Sequence, residues 1–146
     1  AHLFWDVAAL LGSGLGCEWR NRGSFCLAAA LSVVFVTPTV LLCHPGIQVF
    51  RGLSGLDCAV FSAALVVLWR SGRGRPWAWV LPSCALSLFV LKCVWETRTG
   101  MPVFVRHTAM LSLPSAHLAG GIAGVLAGML AGAGTGPTEN TEDVPS

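Results

Sequence analysis

Charge is what this sequence has least of. Only 11% of its 146 residues are Asp, Glu, Lys or Arg, and 54% are hydrophobic, whereas soluble domains carry about 25% charged residues. At a mean hydropathy of +0.70 the apolar residues cannot all hide in one water-facing core, so lipid is the solvent for much of the surface. The net charge of +2 gives no electrostatic footprint for nucleic acid. The six cysteines form no CxxC pair and mostly lie inside apolar runs. They read as small apolar helix residues, and neither a disulfide framework nor a metal site is expected. No converging cluster of ligands suggests a metal or other cofactor. Repeated halves and a charged midplane relay, the marks of a transporter, are missing too. The start shows no signal-peptide pattern and no initiator Met, so the chain reads as a piece of a longer protein.

What is present is a series of five apolar runs, over 4–17, 25–43, 52–69, 77–95 and 114–133. Each is roughly 15–20 residues, about the length that crosses a bilayer as a helix. The first is short at its front. The expected fold is all-α, a polytopic bundle of transmembrane helices over 1–133. A polar, acidic tail over 134–146 reads as disordered. His44, Pro45 and Gly46 read as a turn, and 96–102 as a polar loop. Lys92 reads as a residue that snorkels to the interface, and the tryptophans as interface anchors. The segments after runs one and three carry Arg20, Arg22, Arg70, Arg73 and Arg75, against Arg51, Arg98 and Arg106 on the other side. The positive-inside rule puts the ends of runs one and three in the cytoplasm. His2, Ser54 and His117, each near the start of its run, then share the outer side.

Ser54 stands between Gly52 and Gly55 in the sequence GLSG, with Asp57 three residues on. A serine hydroxyl is a weak nucleophile until a base takes its proton, and histidine is the usual base. The glycines allow close backbone approach. The start of a helix offers free N–H groups to a developing oxyanion. The fifth run carries Gly120, Gly124, Gly128 and Gly132 at four-residue spacing, with Ala119, Ala123, Ala127 and Ala131 beside them. Run three has Gly55, Ala59 and Ala63. Such small-residue faces let helices pack closely, and if these two meet, Ser54 and His117 come together at their outer ends. Other readings exist for each residue. Ser54 and Asp57 fit a helix-capping pattern, His117 fits a hydrogen-bonded residue of a bundle, and His2 fits a solvated interfacial residue.

GLSG at 52–55 before an apolar helix, then AHLAG at 116–120 with Gly124 four residues on, resembles the rhomboid intramembrane serine proteases. That family carries GxSG on one transmembrane helix and H-xxG-xxxG on a later one. HLFWD at 2–6 is similar to its HxxxN motif, and Glu18 with Arg20 falls where it often has Glu followed by basic residues. The resemblance covers nearly the whole chain except the tail. It implies a six-helix core of which five helices are present and the first is missing. It implies Ser54 as nucleophile and His117 as general base, with His2 and the Ser54 backbone N–H stabilising the oxyanion. It implies no cofactor, and as substrate a transmembrane segment of another protein, cut near its outer end. It implies a multi-pass protein of a bacterial inner membrane. The GLSGLD form is also similar to the rhombosortase-like branch, associated with C-terminal GlyGly sorting signals.

Three positions depart from the family. Asp6 stands where the family has Asn, and an ionised carboxylate repels an oxyanion that an amide would bond. Cys58 stands where many members stack an aromatic ring on the histidine, so His117 has to be positioned some other way. Asp57 is a further unusual charge. Asp6 also opens an alternative, a catalytically inactive rhomboid-like protein that binds transmembrane helices.

Overall fold

The computed structural model describes residues 2–20, 22–46, 53–72, 77–100 and 113–131, with the backbone alone described at 2–6, 9, 18–20, 22 and 78. The described residues form five helices and no strand: α1 (His2–Arg20), α2 (Arg22–Cys43), α3 (Leu53–Ser71), α4 (Trp77–Thr99) and α5 (Pro114–Ala131). Four of these, α2 to α5, are long and apolar enough to cross a bilayer. The chain is thus an all-α, multi-pass membrane protein, in line with the expected helical bundle. Pro38 and Pro82 sit inside α2 and α4 without ending them, as membrane helices tolerate. The acidic tail, Gly132 and the connections at 47–52 and 101–112 lie outside the described residues.

Every other helix packs on α3, and α5 does so most extensively. The reason is the size of the facing residues. The buried apolar set is dominated by Ala28, Ala59, Ala63, Ala116, Ala119, Ala123 and Ala127, and the largest fully buried side chain is Val60. The large side chains point the other way: Leu15, Leu42, Leu88, Leu91, Trp77 and Trp95 are all exposed. Large outside and small inside is what lipid permits, because burying a leucine against another helix gains little over burying it in acyl chains.

The two small faces do meet. A Cβ added at Gly120 would collide with the Gly55 carbonyl oxygen, and one at Gly124 with the Ala59 carbonyl oxygen. A Cβ at Gly128 would lie 2.7 Å from Val66 Cβ. These contacts climb both helices in the same direction, so α3 and α5 run parallel with their N-termini at one end. At the other end Arg70 Nη1 donates to the carbonyls of Gly128 and Met129. It thereby serves last-turn acceptors that have no partner within α5. Helix α4 docks differently, by aromatic contacts. Phe89 covers Gly121 and faces Phe61 at 6.2 Å between ring centroids.

Gly124→Val is expected to force α5 off α3 and to cost roughly 1–3 kcal/mol or more, the range for overpacking. Gly12→Ala, at a position with nothing within 4 Å, should stay within about 0.5 kcal/mol of the parent. Unfolding by SDS titration in mixed micelles measures both, and equal losses would contradict the close α3–α5 contact.

Candidate functional site

The first turn of α3 holds Ser54 directly before Gly55, whose position lies 3.4 Å from the Ala116 carbonyl oxygen on α5 when a Cβ is built there. His117 directly follows Ala116. Ser54 and His117 therefore flank a pair of residues in contact, at the same end of two parallel helices. Ser54 is half-buried, and the His117 side chain is 13% exposed. Because α3 begins at Leu53, Ser54 lies within the turn whose N–H groups have no helical acceptor. Such a turn suits an anion, and Ser54 and Asp57 also fit a capping role there. Gly52 lies outside the described residues. His2 and Asp6 fall on the first turns of α1, and their side chains lie outside them as well, as does that of Glu18.

Helix α4 adds Glu96, which the pattern of apolar runs does not reveal, and gives Lys92 a partner. The expected polar loop at 96–102 begins later than predicted, since α4 continues to Thr99. Glu96 thereby lies on the helix, and its side chain is only 3% exposed. Its Oε2 lies 3.2 Å from Lys92 Nζ, one turn earlier, and 3.7 Å from His117 Nδ1. Lys92 is thus held in an ion pair rather than simply snorkelling to the interface. Cys58 lies one turn inward from Ser54, and Phe61 on the same helix packs on Phe89 of α4, one turn before Lys92 and Cys93. The stripe of α3 that carries Ser54 and Cys58 therefore borders the end of α4 that carries the ion pair.

A second polar contact braces the same end. His44 follows the last residue of α2, and its Nε2 lies 3.2 Å from Ser115 Oγ, two residues before His117. His44 is therefore not merely part of the turn at Pro45 and Gly46, which the structure does contain. Pro114 starts α5, where its missing N–H costs nothing, and His117 N–H bonds the Leu113 carbonyl at 3.2 Å. The start of α5 is thus fixed from α2, from α3 and by its own backbone.

Among the described residues no group of three or more His, Cys, Asp or Glu side chains is placed to hold a metal ion. What is gathered is a serine on a helix N-terminus, a histidine on the neighbouring helix and a buried carboxylate against that histidine. Comparison with protein-family models, with curated proteins and with solved structures finds no match to this chain.

The His44–Ser115 contact should be worth about 0.5–1.5 kcal/mol, as for an ordinary hydrogen bond. His44→Ala and Ser115→Ala are each expected to lose that much, and the double variant little more, because the two share one interaction. A double-mutant cycle on SDS unfolding measures it, with additive losses counting against the contact.

Proposed function

We propose that this protein is an intramembrane serine endopeptidase of the rhomboid type, with Ser54 as nucleophile and His117 as general base. One geometric fact supports this most: the glycine contact between α3 and α5 sets the residues next to Ser54 and His117 against each other. Attack would join Ser54 Oγ to the scissile carbonyl carbon while the proton passes to His117. The oxyanion would form against the free N–H groups at the start of α3. Collapse would expel the amine, which takes the proton back from the imidazole. Water would then hydrolyse the ester by the same two steps.

The substrate on this reading is a transmembrane segment of another protein, entering from the bilayer and cut near its outer end. The basic residues after α1 and α3 support placing the site toward the outer face of a bacterial inner membrane. The GLSGLD sequence supports the rhombosortase-like branch by resemblance. Asp6 supports the second reading, an inactive relative that binds transmembrane helices without cutting them.

A fluorophosphonate probe separates the two. With the full-length protein in proteoliposomes, Ser54 is expected to label, and Ser54→Ala and His117→Ala to lower labelling by at least about 10³-fold. A folded parent protein that does not label would leave the helix-binding reading in its place.

A further inference from the structure

We propose that Glu96 is the positioning residue for His117, so that the site works as a serine–histidine–glutamate array spread over three helices. The inference rests on the serine endopeptidase reading for its catalytic meaning, but the contact itself stands on geometry. Glu96 is nearly fully buried in the outer part of α4, where an uncompensated carboxylate would be expensive. Lys92 Nζ at 3.2 Å and His117 Nδ1 at 3.7 Å compensate it. The second distance is within ion-pair reach and slightly beyond a hydrogen bond, and such catalytic contacts tighten when substrate binds.

The chemistry follows from which nitrogen faces the carboxylate. An ionised carboxylate only accepts, so it favours the tautomer with the proton on Nδ1. That leaves the Nε2 lone pair free to take the Ser54 proton, and Nε2–H to return it to the leaving amine. The Glu96 carboxylate stabilises the imidazolium that forms in between. Lys92 sets an opposite charge 3.2 Å from the same carboxylate oxygen. Near this cluster, His44 at the end of α2 meets Ser115, two residues before His117.

The contrast between Glu96 and Lys92 separates positioning from mere stability. Glu96→Gln keeps the shape, but Lys92 holds the amide oxygen and the amide N–H₂ is left to donate to Nδ1. That forces the proton onto Nε2, the wrong nitrogen for a base. Selective ¹⁵N-histidine labelling in proteoliposomes reads the tautomer directly, with the His117 signal assigned by its loss in His117→Gln. We expect Nδ1–H in the parent and Nε2–H in Glu96→Gln. Fluorophosphonate labelling should fall by roughly 10²-fold or more in Glu96→Gln, recover in part in Glu96→Asp, and fall far less in Lys92→Gln. An unchanged His117 tautomer in Glu96→Gln overturns the proposal, as does a Lys92→Gln variant as slow as Glu96→Gln. If the parent does not label at all, the endopeptidase reading fails, and the tautomer still decides whether Glu96 sets the proton on His117.

Discussion

The bundle depends on the backbone contact between α3 and α5. At Gly120 and Gly124 there is no room even for a methyl group, because carbonyl oxygens of α3 occupy the space. Such contact fixes more than distance. Glycines four residues apart drift only slowly around a helix, so they make one nearly straight seam. A one-residue slip of α5 would turn the seam by about 100° and drive side chains into the α3 backbone. The register that places His117 beside the first turn of α3 is therefore the register that the packing itself enforces. The remaining helices build outward from this pair, and their bulkier residues are left to lipid.

The polar groups are distributed with the same economy. The α3 and α5 C-terminal ends are joined by Arg70, whose guanidinium serves carbonyls that a helix end would leave without partners. The opposite end holds Ser54, Asp57, Lys92, Glu96, His117, Ser115 and His44, drawn from α3, α4, α5 and the turn after α2. A bundle held by small-residue packing has no need of a buried carboxylate there. Ionisable groups within membrane helices are costly and mark functional sites by default. Glu96 is tolerable because Lys92 and His117 both face it, and that same compensation ties α4 to the pair on α3 and α5.

Much of this was legible from residue spacing. The apolar runs locate the helices, and the four-residue glycine repeat identifies the faces that meet, because both signals are local and periodic. Glu96 was not legible in that way. An acidic residue followed by Thr, Arg, Thr and Gly reads as the start of a loop, whereas the helix continues to Thr99 and ends at Gly100, whose φ is +66°. His44 was hidden for a similar reason: its sequence neighbours make a turn, while its partner Ser115 lies 71 residues away. Periodicity reports which face is apolar. It does not report which polar residue the neighbouring helix presents.

The charges at the site also bear on Asp6 and Cys58. Lys92 and Glu96 offset each other at 3.2 Å, and Asp57 on α3 is a second carboxylate at this end. On the proposed mechanism, proton transfer creates an imidazolium and an oxyanion together, and the pair adds no net charge to a low-dielectric site. The carboxylate belongs on the far side of the imidazole, where it favours the cation without facing the anion. A residue at that place constrains the ring by charge, where a stacked aromatic would constrain it by shape. Cys58, too small to stack across the histidine, is then no loss to the site, provided that Glu96 holds the imidazole from α4. For Asp6 the requirement is chemical: an ionised carboxylate facing an oxyanion repels it, so the same chemistry asks for a protonated acid at that position.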